Sequence, residues 1–275
     1  MTHKYSSVSG MEPILSNLEQ PAFEVLNPHG SAPVVLTCDH ASNQVPESLQ
    51  KLGLPDEVFS QHIAYDIGCS ALSEQMSEMF DAVLVRSCFS RLVVDPNRHL
   101  NDPSSIPEVS DGVTVPGNLN LSRQQAGQRV EELFVPYHNA VAATMADCQA
   151  RHGVPPVLIA VHSFTPVFQG FQRPWHIGVL WNRDGRVAVP LIERLRQREQ
   201  LCVGDNEPYH AREPVGYTMD VHAEGTGFPH LLLEVRQDLI STDDGVAHWA
   251  KLLYEDISVV IEDPDIYHVM EYEND

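Results

Sequence analysis

The stretch Val34-Val35-Leu36-Thr37-Cys38-Asp39-His40-Ala41-Ser42-Asn43 begins as five strand-forming residues and stops abruptly at an acid, an imidazole and small polar side chains. An unbroken run of this kind is the pattern of a strand covered on both faces. In open α/β sheets ligands gather just beyond the carboxyl ends of such strands, so Asp39-His40 marks a place for chemistry. Two later stretches repeat the pattern: Val157-Leu158-Ile159-Ala160-Val161 runs into His162-Ser163, and Leu231-Leu232-Leu233 runs into Glu234-Val235-Arg236. Three hydrophobic strands that each deliver a metal- or proton-competent side chain predict one site assembled from distant parts of the chain.

Outward from these strands, periodicity predicts further strands at 82–86, 91–94 and 176–181, with the three quoted runs at 33–38, 156–161 and 230–235. Ala71, Leu72, Gln75, Met76 and Met79 recur at helical spacing, as do Val189, Leu191, Ile192 and Leu195 within 187–200, and a last helix is expected at 244–261. Pro46 can open a short helix through Leu52 that Gly53 ends. Ser122 can cap a helix of roughly thirty residues, bent at Pro136. The segments 100–121 and 203–228 read as irregular, and a loop as long as 100–121 is typically a lid or disordered. Alternating strands and helices imply an α/β fold: a three-layer αβα sandwich with a mixed, largely parallel central sheet. The chain divides into an N-terminal arm (1–30, with Pro13, Pro21 and Pro28), one domain (31–262) and an acidic tail (263–275).

Composition narrows the function. With 43% apolar and 20% charged residues the chain is an ordinary globular one. Its 17 Lys+Arg against 38 Asp+Glu give a formal charge of -21, which repels phosphate backbones and anionic membrane surfaces, so no nucleic-acid or membrane partner is expected. A small anionic substrate is compatible with this charge, because a few convergent Arg outweigh a field that salt screens over about 8–10 Å. No segment reaches the ~18–20 apolar residues of a membrane span. The start, Met1-Thr2-His3-Lys4-Tyr5-Ser6-Ser7, lacks the apolar core of a secretory signal, so a cytoplasmic protein is expected. Five cysteines without a CxxC pair indicate buried thiols rather than a disulfide framework or a zinc knuckle.

Catalytic zinc takes about three protein ligands and leaves a position for water. His40 and His162 meet part of that requirement if their strands are neighbours; singly, each is more often a hydrogen-bonded core or surface residue. Glu234 follows three leucines, where an unpaired carboxylate is costly to bury. It is either a salt-bridge partner for an Arg or a general base whose proton affinity burial raises. Arg91, Asn97 and Arg98 surround a strand end; Arg suits bidentate carboxylate binding, and structural salt bridging is the alternative. No GxSxG elbow, GxGxxG or GxxxxGK[ST] is present, which leaves serine-hydrolase and nucleotide chemistry without support.

The segments Cys38-Asp39-His40-Ala41-Ser42-Asn43-Gln44-Val45-Pro46, Val93-Val94-Asp95-Pro96-Asn97-Arg98, Val161-His162-Ser163 and Leu233-Glu234-Val235-Arg236-Gln237-Asp238-Leu239 together resemble the N-formylglutamate amidohydrolase family, over about residues 30 to 260. That family is similar in turn to zinc carboxypeptidases and aspartoacylase. The resemblance implies a phosphorylase/hydrolase-like fold and one Zn²⁺ per chain bound by His40 and His162, sites that would also accept Mn²⁺, Fe²⁺ or Co²⁺. It further implies Asn97 and Arg98 as binders of a substrate carboxylate and Glu234 as base, acting on an N-acyl amino acid such as N-formyl-L-glutamate. One position departs from the pattern: three residues after His40 stands Asn43, not Glu, and a neutral amide is a poor zinc ligand. Asp66, in His62-Ile63-Ala64-Tyr65-Asp66-Ile67-Gly68, is the substitute, with helix capping as its alternative role. Asp39 can orient a ligand imidazole. Arg91 is expected to stabilise the oxyanion because it lies near the Asn97-Arg98 pair, and the 100–121 loop and the 217–228 segment, with Asp220 and substrate-binding His222, to close over the substrate. A deacylase or carboxypeptidase acting on another substrate, and a non-catalytic carboxylate binder, are the competing readings. No sequence feature sets the oligomeric state.

Overall fold

The computed structural model describes residues 12–209 and 216–272. The start of the arm, part of the irregular segment after 203 and the last three residues of the tail lie outside the described residues. Eleven strands appear among the described residues, in chain order: β1 (Phe23–Leu26), β2 (Val34–Cys38), β3 (Val83–Ser87), β4 (Val109–Ser110), β5 (Val113–Thr114), β6 (Val157–Phe164), β7 (Val167–Phe168), β8 (Phe171–Gln172), β9 (Ile177–Leu180), β10 (Val203–Asp205) and β11 (His230–Arg236). The helices are α1 (Cys69–Phe80), α2 (Arg123–Arg129), α3 (Val135–His152), α4 (Ala188–Arg196), α5 (Tyr217–His222) and α6 (Asp243–Ile261).

Seven strands form one sheet in the order β1-β3-β2-β6-β11-β9-β10, and β4-β5 and β7-β8 are small separate hairpins. β3, β2, β6 and β11 run parallel, β1 is antiparallel to β3, β9 is antiparallel to β11, and β10 is parallel to β9. The predicted mixed, largely parallel αβα sandwich is therefore the observed one. Its central strands are unbroken hydrophobic runs because helices cover both faces. Side chains alternate along a strand. Val34, Leu36, Val157, Ile159, Leu231 and Leu233 accordingly pack with α1, α4 and α6, while Val35, Leu158, Ala160 and Leu232 pack with Tyr137, Val141 and Met145 of α3 and Met219 of α5. The same alternation assigns His162 and Glu234 to the α3/α5 face.

A third apolar cluster lies under the connections, from Leu52, Val58 and Ala64 to Leu92, Val93, Val94, Leu133 and Phe134. The strand expected at 91–94 is a turn inside this cluster. Its hydrophobicity is real, but its carbonyls are met by side chains rather than by a neighbouring strand: Asn118 Nδ2 donates to Leu92 O at 2.8 Å and Arg129 Nη1 to Val93 O at 2.9 Å. The helix expected from Pro46 is a 3₁₀ segment, Glu47–Gly53, with left-handed φ at Gln50, Lys51 and Leu52. Ser122 does cap α2, in a capping box with Gln125. The expected long helix then widens into a π turn at Val130–Phe134, and Pro136 falls in the first turn of α3, where its missing N–H and its ring are tolerated.

Two expected irregular regions contribute to the sheet. Phe23–Leu26, within the expected arm, pairs as an edge strand with β3, and Val203–Asp205 pairs with β9. The first residues of the expected tail also pack on the domain: Arg186 Nη1 donates to Ile266 O and His268 O at 3.0 and 2.6 Å, and Met270 N–H to Gly227 O at 2.8 Å. Four of the five thiols are buried, with Cys38 and Cys69 Sγ 3.0 Å apart. No helix among the described residues is long and apolar enough to cross a membrane.

Arg129 is buried and gives its guanidinium to Val93 O, Asn118 Oδ1 and Gly117 O at 2.9, 2.6 and 2.9 Å, and burial pushes its pKa down to about 10. Replacing it leaves three acceptors unmet. Arg129→Met is expected to lower stability by about 2–4 kcal/mol, read from urea denaturation.

Candidate active site

Register brings the site together. β11 lies beside β6 with Glu234 opposite His162, and β2 lies on the other side of β6 with Thr37 opposite Ala160. The chain leaving β2 therefore carries Asp39 and His40 to the level of His162. Asp66 arrives on the connection before α1, where its N–H donates to His40 O at 3.0 Å and its carbonyl accepts from Cys69 N–H at 3.1 Å. Gly68, with φ +78, allows the approach to Ile240, whose O would lie 2.2 Å from a Cβ there. Asp66 Oδ2 then stands 3.3 Å from His40 Nδ1 and 2.9 Å from His162 Nδ1.

The outer ring nitrogens have their own carboxylates. His40 Nε2 lies 2.8 Å from Asp95 Oδ1 and His162 Nε2 lies 3.1 Å from Asp39 Oδ2. Each imidazole is thus bracketed by two carboxylates and, when doubly protonated, donates from both ring nitrogens; a cation on Nδ1 would replace the proton shared with Asp66 and leave the proton on Nε2 in place. Asp39 Oδ1 accepts from Tyr137 Oη at 2.6 Å and Thr218 Oγ1 at 2.7 Å. Asp95 Oδ2 accepts from Arg91 Nε and Nη2 at 3.0 and 2.7 Å, leaving Arg91 Nη1 3.3 Å from His40 Nδ1 and 3.6 Å from Asp66 Oδ1.

Burial and charge set the proton affinities. Burial alone would raise the Asp39 pKa, but the hydrogen bond and charge of His162 outweigh it and hold the carboxyl at about 2. Asp66 is likewise held well below its ordinary range: burial opposes ionisation, and His40 and His162 overcome it. Burial disfavours a charged His162, yet hydrogen bonds to Asp39 and Asp66 raise its pKa well above the usual value. Glu234 differs, because burial dominates and pushes it up to about 7. Its Oε2 and Asp66 Oδ1 are buried atoms with no hydrogen-bond partner among the described residues.

His40, Asp66 and His162 form a buried group whose ligand atoms lie within 4.8 Å of one another and can hold a metal ion. Donors around tetrahedral zinc at about 2.1 Å stand about 3.4 Å apart, close to the spacing around Asp66 Oδ2. Two imidazoles, one carboxylate and an unsatisfied buried Oδ1 fit a borderline cation.

These residues open onto a cavity of about 390 Å³ that Arg91, Asn97, Arg98, His62, Tyr209 and Glu234 also line. Asn97 is buried, and its Oδ1 accepts from Thr218 N–H at 3.2 Å. Arg98 is half-buried, with no carboxylate at ion-pair distance among the described residues, although its charge helps to keep Asp95 and Asp102 ionised. His222 is not brought to the cavity. It sits behind it on α5, with Nε2 3.0 Å from His138 Nδ1, because α5 turns that face into α3. Asn43 stands apart from the cluster and donates to Phe59 O at 2.6 Å. Asp220 pairs with His99 at 2.9 Å, and the 100–121 connection lines a neighbouring, more open depression with Ser104, Val109 and Asp111. Met219 and Glu224, from the 217–228 segment, line the main cavity.

Sequence reading did not single out His62, Asp95, Tyr209 or Thr218. His62 stands four residues before Asp66, and its Nδ1 lies 3.7 Å from Asp66 Oδ1. That spacing was a usable signal; nothing marked Thr218.

The fold and the cluster define an α/β protein with a two-histidine, one-carboxylate group at the ends of parallel strands. The family model described as N-formylglutamate amidohydrolase matches residues 32–241, and the chain belongs to that family of hydrolases. Among solved structures it is similar to the gene product Atu2144 from Agrobacterium tumefaciens, at 35% identity and a TM-score of 0.87, covering 90% of this chain and 98% of that one. It shares its fold with the N-formylglutamate amidohydrolase from Ralstonia eutropha JMP134, at 18% identity and a TM-score of 0.57, covering 88% of this chain and 98% of that one. No curated protein sequence matches it.

The folded pKa of Glu234, about 7, lies above its ordinary value of 4.5, so folding favours the protonated form. The stabilisation this gives is complete below pH 4.5 and is lost as pH rises through about 7. In the presence of a chelator, Glu234→Gln is therefore expected to be more stable than the parent at about pH 8, with the difference closing towards about pH 4.5, read from urea midpoints.

Proposed function

We propose that the chain is a zinc-dependent amidohydrolase that cleaves the amide bond of an N-acyl amino acid, with N-formyl-L-glutamate giving L-glutamate and formate as the foremost candidate. The observation that carries this reading is the convergence of His40 Nδ1, His162 Nδ1 and Asp66 Oδ2 beside a buried Glu234 with an unpartnered oxygen. Family membership supplies the reaction class.

One Zn²⁺ held by His40, Asp66 and His162 would supply a Lewis acid and lower the pKa of water. Arg98, which has no carboxylate at ion-pair distance among the described residues, receives the substrate carboxylate, and the Nδ2 of Asn97 adds a second donor. Glu234, with a pKa of about 7, takes a proton from the attacking water and hands it to the leaving amine, so both transfers start from a nearly matched group. Arg91 keeps only Nη1 uncommitted by Asp95 and directs it at the cluster, where it stabilises the developing oxyanion. Burial of the cluster strengthens each of these interactions.

A second reading within the class rests on the size of the cavity, about 390 Å³, whose wall also includes Leu180, Met219, His230 and Leu232 and which has room for an acyl group larger than formyl. N-formyl, N-acetyl and carboxyl-terminal peptide substrates compared side by side distinguish the two.

Elemental analysis is expected to find about one zinc per chain, lost in His162→Ala and Asp66→Ala and retained in Asn43→Ala. Retention by Asp66→Ala with loss in Asn43→Ala would reverse the ligand assignment. Glu234→Gln is expected to keep its zinc and release formate from N-formyl-L-glutamate on the order of 10³-fold more slowly. Arg98→Met should raise KM about 10- to 100-fold with a smaller change in kcat. Zinc without formate release would move the substrate to another acyl group.

A further inference from the structure

The short segment that enters α5 touches both halves of the site at once. Thr218 is fully buried and uses its two donors in two directions. Its backbone N–H donates to Asn97 Oδ1 at 3.2 Å, and its hydroxyl donates to Asp39 Oδ1 at 2.7 Å. The other oxygen of Asp39 accepts from His162 Nε2 at 3.1 Å. Tyr217 N–H adds a bond to Asn97 O at 3.4 Å. Gly216, which lines the cavity, lies so close to Asn97 that a Cβ there would stand 2.6 Å from Oδ1 and 2.9 Å from Nδ2.

These bonds fix the sense of the Asn97 amide. Because Oδ1 is occupied by an N–H, the amide presents Nδ2 elsewhere, and Nδ2 lies 3.5 Å from His162 Nε2. That ring nitrogen already donates to Asp39, so two donors face each other without bonding and the Asn97 NH₂ is left for an acceptor in the cavity. On the other side, the hydroxyl of Thr218 and the phenol of Tyr137 saturate one oxygen of Asp39, and the carboxylate can rotate only by breaking both bonds. Losing the partner of a ligating imidazole typically alters metal affinity about 10- to 100-fold, and Thr218 holds that partner, Asp39, together with Tyr137.

We infer that Thr218 is a positioning residue that sets the imidazole of His162 through Asp39 and the amide of Asn97 through its backbone, and that Gly216 is required for the second function only. This rests on the reading of His162 as a metal ligand and Asn97 as a substrate donor. The two functions separate by substitution. Thr218→Val removes the hydroxyl and keeps the N–H, Thr218→Ser keeps both, and Gly216→Ala leaves Asp39 untouched while crowding Asn97.

The test measures the zinc Kd by chelator competition, and KM and kcat for N-formyl-L-glutamate at saturating zinc, in the full-length parent and the three variants. Thr218→Val is expected to weaken zinc binding by up to about tenfold with KM within about twofold, and Thr218→Ser to restore the parental zinc Kd. Gly216→Ala is expected to raise KM about tenfold with the zinc Kd within about twofold. A parental zinc Kd in Thr218→Val, or equal weakening in Val and Ser variants, overturns the inference; so do KM and zinc Kd that move together in Gly216→Ala and Thr218→Val. Should Gly216→Ala fail to fold, the Thr218 pair decides alone. A parent that binds no zinc overturns the underlying reading instead, and a parent that binds zinc without turnover overturns only its substrate, with the Thr218 zinc comparison still decisive.

Discussion

Burying charge inside an α/β sandwich is the constraint around which this molecule is arranged. Isolated ions cannot be taken from water into a protein interior without large cost, so each must find a counter-charge with good geometry. Here the solution is a chain of alternating groups: Arg91, Asp95, His40, Asp66, His162 and Asp39, each in contact with the next, closed at the far end by the hydroxyls of Tyr137 and Thr218. Each carboxylate lies against cationic or neutral donors, which is why Asp39 and Asp66 ionise well below their ordinary range despite full burial. Removing one member strands its neighbours, and for that reason such networks behave as units.

The scaffold makes this chain possible through strand parity. Alternate side chains of β2, β6 and β11 fill the apolar layers against α1, α4 and α6 on one side and α3 and α5 on the other. Where each strand runs past its last apolar residue, the same alternation delivers Asp39, His162 and Glu234 to the α3/α5 face. Glu234 combines an unsatisfied oxygen with a raised pKa. It shares that unsatisfied state with Asp66 Oδ1, so the two open carboxylate oxygens of the site belong to neighbouring groups.

Support comes from elements that would attract no notice singly. The turn at 91–97 carries Arg91, Asp95 and Asn97, and it is held by Arg129 and Asn118 rather than by sheet hydrogen bonds. α5, only six residues long, supplies Thr218 to the network and Met219 to the cavity wall. Precision at the cluster thus depends on buried polar contacts in connections as much as on the sheet.

Local pattern was enough to define the layers. Unbroken runs of strand-forming residues at 34–38, 157–161 and 231–233 are the pattern of strands covered on both faces, and periodicity at 71–79, 187–200 and 244–261 supplies the helices that cover them. Pattern also pointed to His40, His162 and Glu234, since a polar residue at the end of a buried strand sits where such a sheet receives its ligand, whereas Asp66 came forward only through the family resemblance, at the position where Asn43 departs from it. It misjudged hydrophobic residues whose partners are not strands, as at 91–94, and it took Phe23–Leu26 and Val203–Asp205 for irregular chain because edge strands this short carry too little pattern. Pairing across distance was settled by the folded chain alone. That β6 lies between β2 and β11, that Asp95 and Asp39 stand behind the two imidazoles, that His222 faces His138 instead of the cavity and that Thr218 bridges Asn97 and Asp39 all depend on which elements become neighbours. Hydrogen bonds between residues as far apart as Asp39 and Thr218 leave no trace in local composition, because a buried threonine on a helix face looks the same whether its hydroxyl finds a backbone carbonyl or a carboxylate of the site.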